Sequence, residues 1–354
     1  MADLRTAFVA VVVVSFVSGP GFGATPEKAK APPATRKLKA GALAPLPANE
    51  KVGWSHGPFE AGDCSLCHKN KDPKNPGPLV KPTNELCSSC HEEFEEVLKR
   101  KFKHPPAVDS CTNCHNPHNS KLKKLLLDET VDLCEGCHED IKKIATQSKV
   151  KHAPVTTGNA CTNCHNPHAA NVEHLLVRLP FDLCIGCHAT EVTDGEGKKL
   201  VNFKKLLAEN PKWHGPVEAK DCSACHKPHG SDDFRLLVND YPARFYSPYD
   251  PKNYALCFEC HEASMVTDAQ TTTLTNFRDG SRNLHYLHVN KAELGRTCRA
   301  CHEVHAAKQD HLIRDGVPYG SKGWVLKINY TTRPNGGTCE KTCHGAKTYD
   351  NGRK

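Results

Sequence analysis

Two cysteines three positions apart, followed at once by a histidine, occur nine times in this chain, starting at Cys64, Cys87, Cys111, Cys134, Cys161, Cys184, Cys222, Cys257 and Cys298. A tenth copy is stretched, with three residues between Cys339 and Cys343 ahead of His344. These ten motifs use all 20 cysteines. CxxC alone also serves zinc ribbons and disulfides. Histidine makes up 22 of 354 residues, so finding one behind all nine CxxC pairs by chance has a frequency of roughly 0.06 to the ninth power. The spacing is that of covalent haem c attachment, in which both thiols add to porphyrin vinyl groups and the adjacent imidazole takes the iron. Residues i, i+3 and i+4 share one face of a helical turn, so a short segment holds the macrocycle at three points. The stretched copy moves its first thiol to i, i+4, still one helix face, and is read as a tenth site.

The covalent attachments are then Cys64, Cys67, Cys87, Cys90, Cys111, Cys114, Cys134, Cys137, Cys161, Cys164, Cys184, Cys187, Cys222, Cys225, Cys257, Cys260, Cys298, Cys301, Cys339 and Cys343. The proximal iron ligands are His68, His91, His115, His138, His165, His188, His226, His261, His302 and His344. With 38% hydrophobic and only 6% aromatic residues, the chain is too poor in large apolar side chains for a conventional core of its length. Ten macrocycles among about 330 mature residues must therefore supply most of the buried apolar surface. Proline and glycine, 25 and 24 residues, recur throughout. The expected fold is mainly irregular with short α-helices, organised around a haem chain, with little or no β-sheet.

The first 24 residues read as a secretory signal: Arg5, an apolar run from Ala7 to Val17, then small residues ending at Gly23-Ala24. Eleven apolar residues are too few to span a bilayer, and no later stretch is long and apolar enough to do so. Residues 25–53, rich in Ala, Pro and Lys, read as a tether. Residues 54–354 divide into five doubled units, 54–102, 103–150, 151–212, 213–283 and 284–354. The first cysteines of the two motifs are 23 residues apart in each of the first three units, and 35 and 41 apart in the last two. The extra residues fall at Asn239 to Asn253 and Gly316 to Gly336, and their Tyr, Pro and Gly content predicts surface loops. Helices are expected at the second motifs, capped by Asn84 or Asp132, with Leu86, Cys90, Phe94 and Val97 on one face.

A second axial ligand must come from outside the motifs. Methionine is set aside, because Met265 is the only one beyond the initiator. His56, His104, His152, His214 and His288 lie seven to ten residues before the first cysteine of a unit. His118, His168, His229 and His305 stand three residues after a motif histidine, in NPH, KPH or EVH tails. His174, His285 and His311 compete for the tenth place. Six residues after the tail histidines stand Lys124, His174, Arg235 and His311, each just before a Leu-Leu or Leu-Ile step. A position that accepts Lys, His or Arg wants a cation or donor, and a haem propionate is its natural partner. His285 is therefore taken as the tenth distal ligand, compensating for the first unit, where Lys69-Asn70-Lys71 replaces the tail.

The formal charge of +7 points by itself to an acidic partner. A bis-histidine haem carries about −1 when oxidised and about −2 when reduced, which brings ten such sites to roughly −3 and −13 overall. The lysines then read as propionate partners, and no nucleic acid is expected.

The segments CTNCHNPH, Leu-Leu and LCxxCH, repeated almost verbatim from Cys111 to His138 and from Cys161 to His188, resemble the doubled-CxxCH multihaem cytochromes c. Ten motifs on about 330 residues further resemble the periplasmic decahaem cytochromes of porin-cytochrome outer-membrane conduits. The resemblance implies electron transfer between an inner-membrane or periplasmic donor and an outer-membrane porin or extracellular cytochrome, with no catalytic residues and a periplasmic, outer-membrane-associated or extracellular location. Two other readings stand beside it. A homo-oligomeric extracellular filament would show a deficit of distal ligands in one chain, whereas a surplus is counted here. A reductase of nitrogen or sulfur oxyanions needs an open position on iron, and no CxxCK occurs.

Overall fold

Proline and glycine interrupt the chain so often that the longest helices among the described residues, Glu139–Gln147 and Pro180–His188, have nine residues each. The computed structural model describes residues 52–194, 197, 199–320, 324–340 and 343–352, all within one compact unit. The expected signal segment and nearly all of the tether lie outside the described residues. No helix among the described residues is long and apolar enough to cross a membrane. The architecture is largely irregular: short helices, small antiparallel strand pairs and no closed sheet.

Each of the first four units is assembled in the same order. Directly after the upstream histidine comes a short helical turn, Gly57–Glu60, Pro105–Asp109, Ala153–Val155 or Gly215–Glu218, opened by a proline in its first two positions. Proline is favoured there because its missing N–H would have no helical partner and its φ is already helical. A tight turn then carries the first motif, as at Cys64–Leu66 and Cys111–Asn113. The second motif sits on a short helix: Thr83–Ser88, Thr130–Glu135, Pro180–His188 and Ala255–Phe258. Asn84 and Asp132 are not the caps expected of them. Those helices start after Pro82 and Glu129 without a side-chain cap. Asn84 instead reaches into the next unit, donating to the carbonyls of Ala107 and Val108 and accepting from the Cys111 amide. Nor do Leu86 and Val97 lie on one continuous helix, since the chain breaks at the motif and restarts as Glu93–Leu98.

Units interlock through their main chains. Trp54–Ser55 pairs antiparallel with Asn119–Ser120 of the next unit, Phe102–Lys103 with Ala169–Ala170, and Lys212–Trp213 with Ala306–Ala307. Val150 and Ser231 form the equivalent bridge. The strand leading into each upstream histidine is thus held by the strand leaving the tail histidine one unit later. The fifth unit is closed differently. Asn329–Arg333, Gly336–Glu340 and Lys347–Asp350 form a three-stranded antiparallel sheet, and Gly316–Tyr319 pairs with Trp324–Lys327 as a hairpin.

Both insertions carry more structure than the loops expected of them, though much of each lies at the surface. Gly316 to Gly336 is mostly strand, because Val317, Tyr319, Val325, Tyr330, Thr331 and Thr332 are β-branched or aromatic. The insertion from Asn239 to Asn253 contributes Tyr241 to a buried cluster with Tyr254, Val266 and Val289, against which Tyr249 packs. Cys339 also lies on a strand, not on the helix face assumed for a stretched motif. Residues 341 and 342, between its cysteines, are outside the described residues.

Candidate haem-binding sites

The sites are built from pairs of imidazoles. Upstream histidines face second-motif histidines of their own unit: His56 and His91, His104 and His138, His152 and His188, His214 and His261, and His288 and His344, with ring centres 6.1 to 6.4 Å apart. Tail histidines face first-motif histidines of the preceding unit: His118 and His68, His168 and His115, His229 and His165, and His305 and His226, at 6.1 to 6.3 Å. His285 faces His302 at 6.3 Å within the fifth unit. Nine pairs have ring planes within 26° of parallel, and His288 with His344 is tilted by 39°. Two metal–imidazole bonds of about 2 Å, one from each side, place ring centres roughly 6 Å apart. The spacing therefore fits one iron between the rings of each pair.

The pairing accounts for His285 in a way the unit alignment did not. The tail histidines of the second to fifth units each face the unit before, and the first-motif histidine of the fifth unit, His302, faces His285 instead. His285 takes the place that a tail histidine takes opposite the other first-motif rings, held by the helix Leu284–Val289 after Asn283, whose side chain accepts from the amides of His285 and Tyr286. Its Nδ1 lies 3.0 Å from the Thr275 hydroxyl.

Main-chain carbonyls fix most of the other rings. Nδ1 of His56, His104 and His152 bonds the carbonyls of Pro117, Pro167 and Pro228 at 2.8 to 2.9 Å, and His214 bonds that of Val304. Each of these carbonyls precedes a tail histidine. First-motif histidines bond a carbonyl nine residues on: His68 to Gly77, His115 to Lys124, His165 to His174, His226 to Arg235, and His302 to His311, at 2.7 to 3.0 Å. An Nδ1–H committed to a carbonyl leaves Nε2 as the nitrogen available to a metal. The NPH tail is shaped by its asparagine, since Asn116 and Asn166 accept from the amides of His118 and His168 at 3.0 Å.

Burial favours the neutral, ligating form of the rings. It pushes His305 down to about 4 and His285 down to about 3, and it lowers His104, His168, His188, His226 and His302 as well. His174 and His311 face no other imidazole at this spacing among the described residues; both are exposed, and their carbonyls serve neighbouring histidines. Three phenylalanines that motif reading did not single out as ring neighbours stand edge-on to tail rings: Phe59 to His118, Phe94 to His168 and Phe203 to His305, at 4.8 to 5.2 Å. They share no position relative to the motifs, so spacing offered no signal for them.

The cysteines order the sites. The first cysteine of each second motif touches that of the following unit: Cys87 and Cys111, Cys134 and Cys161, Cys184 and Cys222, and Cys257 and Cys298 are hydrogen-bond neighbours. Within units, Cys67 is in electrostatic reach of Cys90, Cys114 of Cys137, Cys164 of Cys187, Cys225 of Cys260, and Cys301 of Cys343. Followed from neighbour to neighbour, the ten motifs run in sequence order.

The surroundings also suit a large apolar group with acidic arms. Among described residues, Leu207 is the one apolar side chain larger than alanine that the first three units bury, while Leu66, Val108, Val177 and Leu179 stand open. The buried Nε atoms of Arg278, Arg299 and Arg314 and the hydroxyls of Tyr249 and Tyr254 have no protein partner. An unsatisfied buried guanidinium donor calls for an acceptor, and a propionate oxygen is one.

The family model for the doubled CXXCH motif matches this chain four times, over residues 56–96, 104–143, 152–193 and 214–266. The chain is a multihaem c-type cytochrome. In this cytochrome each match opens on an upstream histidine and ends beyond a second motif. The fifth unit, with its stretched motif and terminal sheet, lies outside the matches. No curated protein matches the cytochrome.

Proposed function

We propose that this cytochrome is a decahaem electron conductor without catalytic residues, passing electrons along a line of ten bis-histidine sites. The observation that carries the reading is an imidazole partner for every motif histidine, with the motifs neighbouring one another in sequence order. Haem supplies the one-electron chemistry, and its potential follows from axial ligand and surroundings. The chain's own residues hold each ring in orientation and set the order of the sites.

Closed axial positions favour outer-sphere transfer over substrate chemistry, since nitrite or hydroxylamine would first have to displace an imidazole. A filament sharing ligands between protomers is not required, because every motif histidine has a facing imidazole within one chain. The export expected from residues 1–24 and the resemblance to porin-cytochrome conduits favour a route across the periplasm or outer membrane, from an inner-membrane or periplasmic donor to an outer-membrane porin, an extracellular cytochrome or another terminal acceptor. Low-temperature EPR or magnetic circular dichroism of the oxidised protein tests the reading. Ten low-spin irons are expected, and a stoichiometric high-spin signal in the native protein would favour a reductase.

A further inference from the structure

Four pairs of adjacent non-glycine residues adopt left-handed backbone angles, and all four occupy the same place in the repeat. Lys124 and Leu125 have φ of 59° and 56°, His174 and Leu175 56° and 58°, Arg235 and Leu236 55° and 62°, and His311 and Leu312 54° and 55°. Such angles are uncommon for residues with a Cβ, and for two in succession they need a compensating gain. The gain is visible in three hydrogen bonds onto the first motif. The carbonyl of the first residue accepts from Nδ1 of His115, His165, His226 or His302. The carbonyl of the second accepts from the amide just after that histidine, at Asn116, Asn166, Lys227 or Glu303, at 2.7 to 2.8 Å. Two residues further on, the amides of Leu127, Val177, Val238 and Arg314 donate to the carbonyls of Cys114, Cys164, Cys225 and Cys301.

The first unit makes the same clasp with glycine at the first place. Gly77, at φ 72°, accepts from His68 Nδ1, and the Pro78 carbonyl accepts from the Lys69 amide. Four different residue types therefore perform one task whose common element is the main chain. The side chains of Lys124, His174, Arg235 and His311 are all exposed. Second-motif histidines have no such clasp among the described residues: His91 has Glu93 at 3.7 Å, and no carbonyl follows nine residues on.

We propose that this left-handed step is a positioning element that locks the proximal imidazole of the first-motif sites and lowers their reduction potentials. The inference rests on the ligation reading given above. A hydrogen bond from Nδ1 to a carbonyl makes the imidazole a stronger donor to iron, which favours the oxidised state. His174 and His311 thus act through their carbonyls, and their rings are dispensable.

Two fourfold variants of the full-length holoprotein test this by potentiometric titration. In the first, Lys124→Val, His174→Val, Arg235→Val and His311→Val place β-branched residues where left-handed angles are least tolerated. In the second, the same four positions become glycine, which keeps the angles but removes the side chains. The valine set is expected to shift about four of the ten titrating electrons to more positive potential, while the glycine set titrates like the native protein. Equal shifts in both sets would overturn the proposal in favour of the side-chain charges, and no shift in the valine set would overturn it outright. Should the fourfold valine protein fail to mature, Lys124→Val beside Lys124→Gly gives the same comparison on about one electron in ten. Haem mass and EPR spin state, read on the same samples, separate this from failure of the ligation reading, which would appear as high-spin iron in the native protein.

Discussion

A histidine in this chain is defined by what its Nδ1 bonds and what its ring faces. His118, His168 and His229 each face a motif histidine of the preceding unit, whereas His174 and His311 turn exposed rings away and lend only a carbonyl. Changing His118, His168 or His229 to alanine is expected to convert one low-spin haem in ten to high-spin, read by EPR. The same change at His174 or His311 should leave every iron low-spin, and a high-spin signal from His174→Ala would reverse the ligand assignment. His285→Ala should open the His302 site alone, because Thr275 and Asn283 hold that ring for no other site.

Among elements, the terminal sheet is the one that the repeat does not explain. Gly336 has φ of 149°, and a Cβ there would lie 2.0 Å from the Tyr349 carbonyl oxygen of the neighbouring strand. Gly336→Ala is expected to destabilise the sheet by roughly 2 kcal/mol or more. Because Cys339 lies on that same strand, the loss should fall on the tenth site. Intact mass and the EPR signal of the variant would then show one haem missing or high-spin while nine stay native. A uniform loss across all ten would mean that the sheet supports the whole array.

At the scale of the molecule, each of the first four units takes a facing imidazole and a main-chain pairing from the unit after it. Intact mass is expected to exceed the signal-less polypeptide by about 10 × 0.6 kDa, and a value fitting nine would remove the site at Cys339 and Cys343. Carbon monoxide added to the reduced protein should leave the Soret band essentially unchanged if, as proposed, both axial positions of every iron are held by histidine. Soluble ferric chelates should be reduced, while turnover of nitrite or hydroxylamine should stay below about 1 per second. Rapid CO binding to one haem in ten, coupled to nitrite reduction, would replace the conductor with a reductase fed by nine relay sites. The most exposed candidate for that behaviour is His344, whose ring is tilted 39° to His288 and whose Nδ1 bonds only the adjacent Gly345 carbonyl.

The motif spacing determined by itself that the chain is a multihaem c-type cytochrome with little conventional core, because attachment chemistry is local and each CxxCH carries its own two thiols and imidazole. Loop-rich architecture followed from the same source, as proline, glycine and scarce aromatics leave little else to build with. Which histidine faces which was decided only by the tertiary structure. His118 is three residues from His115 in the chain yet faces His68, since the NPH turn and the strand after it carry the ring back onto the preceding unit. The Lys, His and Arg exchange before the leucine step marked an important position through its side chains, and the structure adds there a carbonyl bond to the motif histidine that no side chain foretells. The terminal sheet and the buried Tyr241 were hidden for a related reason: composition reports what a segment contains, whereas the partners that turn a loop into a strand or a core lie far away in sequence.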